Sequence, residues 1–233
     1  MPPAMQYVGV SVTGPSHVAV GDGCQDAHGG EGLRYGGWAA AADGVGSCPS
    51  SAAGSAAAVR ACRFAWLHWR RARKADGRAF VRLVEALWHT ELDDTPPGDA
   101  CTTVIFAGVA PDGRALVAQL GDGLLFLRRD GQVKRFTPPR DGFGNETEAL
   151  GASRRTWNVD VFQVTSPDIG FLLATDGVSD DLSQGNDTEL FDWSEGAFVK
   201  ATDGQARLKA ALEAWPVPNH SDDKTMVLLC ART

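Results

Sequence analysis

Residues 101–136 read CTTVIFAGVAPDGRALVAQLGDGLLFLRRDGQVKRF, and the punctuation of this stretch decides the fold class. Four short runs, Thr102–Ala110, Ala115–Leu120, Leu124–Arg129 and Gln132–Phe136, are apolar or alternate with the period of two that marks strands. Pro111-Asp112-Gly113, Gly121-Asp122-Gly123 and Asp130-Gly131 separate them, and the last is the two-residue hairpin signal. The stretch predicts an antiparallel meander of these strands.

Toward the N-terminus, Ser50 to Lys74 carries Val59, Cys62, Trp66 and Trp69 at helical spacing, and Arg78 to Leu92 repeats the pattern with Val81, Val84, Leu87 and Trp88. Thr95-Pro96-Pro97-Gly98 ends the second helix. Strands are expected at Tyr7–Val12 and Trp38–Ala42, with the glycine-rich residues 14–37 between them read as loops and turns. On the other side, residues 137–152 read as a surface excursion with Gly142-Phe143-Gly144 as a flap. Strands follow at Trp157–Val164, Ile169–Thr175 and Thr225–Cys230, with a helix at Gln205–Ala214. No βαβ alternation is present, which favours antiparallel sheets covered by helices. No linker-like composition divides residues 1–233, so a single domain is expected.

Bulk properties bound the function. A chain of 233 residues buries roughly 70–75% of its extended surface, enough for a substantial core. Acidic residues outnumber basic ones 29 to 22, for a formal charge of −7, which argues against a nucleic-acid partner. The basic stretch Arg70, Arg71, Arg73 and Lys74 closes a helix and complements its dipole. Cys24, Cys48, Cys62, Cys101 and Cys230 are odd in number and contain no CxxC pair, so neither a zinc site nor a disulfide framework is indicated. No apolar run approaches the ~20 residues of a membrane span, and no signal-peptide pattern opens the chain. A cytoplasmic protein without a membrane partner is expected.

Four acidic turns share one design, each bordering an apolar strand: Ala41-Ala42-Asp43-Gly44, Leu120-Gly121-Asp122-Gly123, Ala174-Thr175-Asp176-Gly177 and Ser221-Asp222-Asp223-Lys224-Thr225. Asp and Gly are ordinary turn residues, and Pro111-Asp112-Gly113 shows that use here. An unpaired carboxylate at the edge of a buried strand is nevertheless costly. If the strand ends converge, their carboxylates repel unless cations bridge them. All-oxygen ligands suit Mg²⁺ or Mn²⁺, and a pair of such ions activates water for attack on a phosphate ester.

The ordered set resembles the type-2C metal-dependent protein serine/threonine phosphatases. Cys24-Gln25-Asp26-Ala27-His28, Ala42-Asp43-Gly44-Val45-Gly46-Ser47, Gly121-Asp122-Gly123, Ala174-Thr175-Asp176-Gly177-Val178-Ser179-Asp180 and Ser221-Asp222-Asp223-Lys224-Thr225 carry the resemblance. Ser16-His17 and Gly46-Ser47 resemble a bacterial branch of the family. The resemblance implies an α+β fold of two stacked antiparallel β-sheets flanked by α-helices. It implies hydrolysis of phosphoserine and phosphothreonine on phosphorylated proteins, products of a companion kinase, with two Mn²⁺ or Mg²⁺ ions and a weaker third. Asp43 would bridge the two metals, Gly44 would offer its carbonyl, and Asp176 and Asp222 would complete the second metal's shell. Asp26 would act through water, while Asp122 and Asp180 would join Asp176 at the third site.

This chain also departs from the family pattern. Gln25 stands where many members have Glu, Val45 stands where animal members have a histidine, and residues 16–25 hold no phosphate-binding arginine. His17 is the candidate for phosphate contact or for protonating the leaving group. A phosphatase-like module that binds phosphoproteins without turnover is the competing reading, and the retained aspartates favour the enzyme. A serine or cysteine hydrolase lacks support, since Gly-x-Ser-x-Gly is absent. Trp66, Trp69 and Trp88 are expected in the core, as is Cys101, whereas Trp193 and Trp215 are left open.

Overall fold

The computed structural model describes residues 1–72, 74, 76–136, 148–153, 155–182, 185–215 and 221–232. Most of the expected excursion and its flap therefore lie outside the described residues. The first half contains β1 (Met5–Val12), α1 (Pro15–Val20), β2 (Ala27–Gly32), β3 (Gly37–Ala42), α2 (Ser51–Trp69) and α3 (Gly77–Glu91). The strands β4 (Val104–Val109), β5 (Arg114–Leu120), β6 (Leu124–Arg129) and β7 (Gln132–Arg135) follow. The last part contains β8 (Asn158–Gln163), β9 (Ile169–Ala174), α4 (Asp176–Ser179), α5 (Asp187–Ser194), α6 (Gly204–Glu213) and β10 (Lys224–Ala231). A π-helical turn, Glu195–Val199, continues directly from α5.

Among the described residues the strands form two five-stranded sheets, ordered β1-β10-β9-β6-β7 and β2-β3-β4-β5-β8. All paired neighbours run antiparallel. The expected α+β architecture of stacked antiparallel sheets flanked by helices is the one observed.

Strand periodicity explains the layering. Successive side chains point to opposite faces, so Ala40 and Ala42 of β3 meet the helices while Ala39 and Ala41 face the second sheet. In β4, Phe106 packs under α2 and α3, and Ile105 and Ala107 fill the space between the sheets. On the other side, Leu172 of β9 and Leu228 of β10 pack against α6 and the π-helical turn. Phe171, Leu173, Val227 and Leu229 face inward to the inter-sheet core. Two-sided burial is why these strands read as continuous apolar runs.

The helices bear out the expected core roles of the tryptophans. Trp66, Trp69 and Trp88 are fully buried, and Trp66 stacks on Trp69 with ring centroids 5.5 Å apart. The fit is tight, because a Cβ at Gly108 of β4 would come within 2.9 Å of the Trp66 ring. α2 ends at Trp69 rather than near Lys74. Asp76 then caps α3, its side chain accepting from the Ala79 amide at 2.8 Å. Trp193 is 49% exposed, while Trp215 packs half-buried against the second core.

Two expectations need correction. The meander is broken: β4 pairs with β5 and β6 with β7, but β5 and β6 belong to different sheets. Gly121-Asp122-Gly123 is the crossing between layers, with Gly121 at φ +99°. Alternation fixes which face a strand buries but not which strand it pairs with, so this crossing was hidden. The second correction concerns residues 14–37, which hold α1 and β2 and not only loops. β2 is glycine-rich because β1 crowds it; a Cβ at Gly30 would lie 2.2 Å from the Tyr7 ring.

Truncating Trp66 to alanine should cost about 3–5 kcal/mol. Urea denaturation is expected to show a lower midpoint at an unchanged slope, since the native fold survives around a cavity.

Candidate metal centre

The carboxylates stand where apolar strands stop or start, at one end of the sandwich. Asp43 follows β3, Asp176 follows β9 across Thr175, and Asp222 with Asp223 precedes β10. Asp26 precedes β2, and Asp122 lies in the crossing between the sheets. Register brings these ends together: Ala27 pairs with Ala42, Val12 with Lys224, and Ala174 with both Leu124 and Met226.

One ligand oxygen from each of Asp43, Asp122 and Asp176 lies within 4.8 Å of the other two. Asp122, expected only at a third position, thus stands with the two central residues. Asp222 belongs to a second group with His17 and Asp223, whose ligand atoms also fall within 4.8 Å of one another. Its charge still reaches Asp43. Asp180 is exposed at the end of α4, one turn beyond Asp176, and its amide donates to the Asp176 carbonyl at 2.9 Å. It falls outside both groups.

The backbone around Asp43 is held firmly. Thr103 donates its amide to the Asp43 carbonyl at 2.8 Å and accepts from the Asp43 amide through its hydroxyl at 3.1 Å. The Thr102 hydroxyl also donates to the Asp43 carbonyl, at 2.8 Å. Gly44 is buried beside this turn, where a Cβ would meet the Gln25 carbonyl and Ser51 backbone at 2.8 Å. Gly177 is under a stronger constraint, since a Cβ there would lie 2.0 Å from the Asp223 carbonyl oxygen. The glycine after each aspartate therefore permits close backbone approach.

Asp26 is buried among these groups. Its Oδ2 accepts from the Thr175 hydroxyl at 2.8 Å, and its Oδ1 has no protein donor among the described residues. Its carboxyl lies within hydrogen-bonding reach of Asp43. Burial pushes Asp26 up to about 7, against the opposing pull of hydrogen bonds from Thr175 and Thr225. Burial also raises Asp43 well above the usual carboxylate range, helped by the charges of Asp26 and Asp176. Acceptor-only groups crowded without enough donors are the chemistry a hard divalent cation neutralises. The residues fit such an ion.

Sequence reasoning missed the role of Asp223. This side chain is buried, and its carboxylate accepts from the amides of Gly14 at 2.6 Å and Gln25 at 2.5 Å. Its own amide donates to Asp222 Oδ1 at 2.8 Å, fixing that carboxylate. Asp223 thereby clasps the N-terminal segment onto the start of β10. The available signal is the Asp222-Asp223 doublet at the start of an apolar strand. The Gln25 side chain accepts a 2.9 Å hydrogen bond from the Ser51 hydroxyl.

His17, on α1, places Nδ1 3.0 Å from Asp223 Oδ1 and 3.9 Å from Asp222 Oδ1. The Asp223 carboxylate raises its pKa, with burial opposing. His28, by contrast, is tied to the Ser11 hydroxyl at 2.8 Å and serves the packing of β1 and β2.

Comparisons with known proteins identify the fold and the family. The family model described as Protein phosphatase 2C matches residues 13–215. No curated protein sequence matches the chain. Among solved structures, the fold is similar to the catalytic domain of the serine/threonine protein phosphatase PstP in complex with two manganese ions, at 19% identity and TM-score 0.64, covering 99% of both chains. RsbX in complex with magnesium is similar at 13% identity and TM-score 0.62, covering 98% of this chain and 96% of that one. PppA of Pseudomonas aeruginosa is similar at 17% identity and TM-score 0.64, covering 98% of both.

The raised carboxyl pKa values set a sign for stability. Between the unfolded carboxylate value near 4 and the raised native values, the native state holds protons that the unfolded chain has released. Metal-free protein should therefore lose thermal stability as pH rises from about 5 to about 8. Saturating Mn²⁺ should raise Tm most at the alkaline end. Melting curves in chelator and in Mn²⁺ check this, and a metal-free Tm that climbs with pH would contradict it.

Proposed function

The chain belongs to the protein phosphatase 2C family, and on that premise we propose that it hydrolyses phosphoserine and phosphothreonine on other proteins. The observation that carries the proposal is the convergence of Asp43, Asp122 and Asp176 on one point beside the buried Asp26. Phosphoproteins made by a companion kinase are the proposed substrates.

Two divalent cations, Mn²⁺ or Mg²⁺, when bound, would lower the pKa of water and stabilise charge on the phosphoryl oxygens. Asp43 would hold both ions, and Gly44 would offer its carbonyl. Asp176 and Asp222 would hold the second ion, and Asp26 would act through a water on the first. Asp122 and Asp180, with Asp176, are assigned to a weaker third ion. The proximity of Asp122 to Asp43 and Asp176 supports its place more strongly than the exposed position of Asp180 supports that residue.

The protein's own residues have further work. Thr102 and Thr103 fix the backbone of Asp43, and Asp223 fixes the Asp222 carboxylate. Asp223 also keeps His17 protonated to higher pH, so the imidazole is proposed to protonate the departing serine or threonine oxygen. That role would answer the lack of a histidine at Val45.

Hydrolysis of a phosphothreonine peptide in Mn²⁺ and in chelator tests the proposal. Turnover should occur only with metal, and Asp43→Asn should reduce it by roughly a hundredfold or more, since a bound metal contributes several kcal/mol. Asp180→Asn should cost less than about tenfold, because it touches only the weakest site. Peptide binding without turnover under all metal conditions would instead favour the phosphoprotein-binding module. For His17→Ala, the alkaline fall in rate should disappear, because the wild-type acid is lost as pH rises through the raised His17 pKa. An unchanged profile would remove His17 from the chemistry.

A further inference from the structure

Cys48 and Cys101 meet beside the Asp43 turn. The Cys48 thiol donates to the Gly98 carbonyl at 3.4 Å, and the Cys101 thiol donates to that same oxygen at 3.3 Å. The two sulfurs also lie within hydrogen-bonding reach of each other. Backbone bonds hold the segments on both sides of the pair: the Val45 amide donates to the Cys101 carbonyl at 2.9 Å, and the Ser50 amide to the Asp99 carbonyl at 2.7 Å. Cys48 is half-buried and Cys101 is buried behind it. We propose that these thiols form a reversible disulfide that locks the Asp43–Gly44 turn to the segment leading into β4.

Bridging requires the two side chains to meet, and both thiols reach the Gly98 carbonyl. Disulfide bonding needs two Cβ atoms roughly 3.5–4.5 Å apart, and here paired backbones hold two side chains on one carbonyl. Burial and the neighbouring Cys48 push the Cys101 thiol up to about 11, so the more accessible Cys48 is oxidised first. A peroxide supplies the oxidising equivalents. Cys48 takes one peroxide oxygen to become a sulfenic acid, releasing the first water or alcohol. The Cys101 sulfur then attacks that sulfenic sulfur, and its proton leaves with the hydroxyl as a second water. Two thiols are oxidised by two electrons in all, and a dithiol reductant reverses the step. Cys62 and Cys230 are fully buried in the two helix-facing cores, away from this chemistry. The Cys24 thiol is turned to the Asp26 carbonyl at 3.7 Å.

The disulfide would act on the site through a short path. Cys101 adjoins Thr102 and Thr103, whose hydroxyls and amide hold Asp43, and the Cys48 amide donates to the Val45 carbonyl at 2.8 Å. Drawing the sulfurs to about 2.05 Å fixes both sides of the turn.

Full-length protein treated with hydrogen peroxide should give, on non-reducing peptide mapping, a Cys48–Cys101 linkage that dithiothreitol removes. The oxidised form should melt on the order of 5–10 °C higher, because the link closes a long loop. Amide hydrogen exchange at Gly44–Cys48 should slow. Cys48→Ser, a change at a half-buried position, should form no link and show no Tm response to peroxide. A sulfinic or sulfonic acid at Cys48 without a link, a link through Cys24, or identical exchange in oxidised and reduced protein would overturn the proposal. None of these readouts depends on phosphatase activity.

Discussion

Asp26 and Asp43 bring two carboxyl groups within hydrogen-bonding reach of each other inside the protein, and Asp122 and Asp176 stand beside Asp43. Two like charges about 4 Å apart repel by roughly 4 kcal/mol at the effective dielectric of a protein site. The hydroxyl of Thr175 returns about 1.5–3 kcal/mol as a hydrogen bond to a charged acceptor. Repulsion therefore wins unless a proton or a cation is shared; burial is the main cause of both raised pKa values, and the charges of Asp26 and Asp176 add to it at Asp43. The fold accepts the cost only because strand pairing forces the ends together: Ala27 against Ala42, and Met226 against Ala174. A chain whose burial is otherwise so orderly keeps such a cluster where a ligand offsets its charge.

Around that cluster the supporting contacts are backbone contacts. Thr102 and Thr103 hold the peptide of Asp43, Asp223 holds the amides of Gly14 and Gln25, and Gly44 and Gly177 leave room for neighbouring main chain. Carboxylates fixed in this way lose little conformational freedom on binding an ion, which is what preorganisation means physically. Similarity to phosphatase structures at 13–19% identity establishes the shared fold, and the family match over residues 13–215 establishes membership. The assignment of ions to individual aspartates rests on the geometry and on the resemblance in the motifs.

Much of this was legible in the sequence, for identifiable reasons. Periodicity located α2, α3 and most strands, because two-sided burial leaves unbroken apolar runs such as Val104–Val109 and Ile169–Ala174. Composition misled at β2, where glycines that relieve contact with Tyr7 look like turn residues. The crossing at Gly121 looked like a hairpin because a local pattern does not record which strand lies alongside. Asp43, Asp122 and Asp176 were found from their shared setting at strand ends. Asp223 and the Cys48–Cys101 pair were not, since their meaning depends on contacts with Gly14, Gln25 and Gly98 that lie far away in the chain.

Proton release on metal binding tests whether the crowded carboxyls form a cation site. Calorimetric titration of chelator-treated protein with Mn²⁺ near pH 7, repeated in buffers of different ionisation enthalpy, counts the protons displaced. Raised pKa values at Asp26 and Asp43 predict saturable binding with net proton release, and Asp43→Asn should abolish the high-affinity phase. Binding that releases no protons, or equal affinity in wild type and Asp43→Asn, would contradict the account.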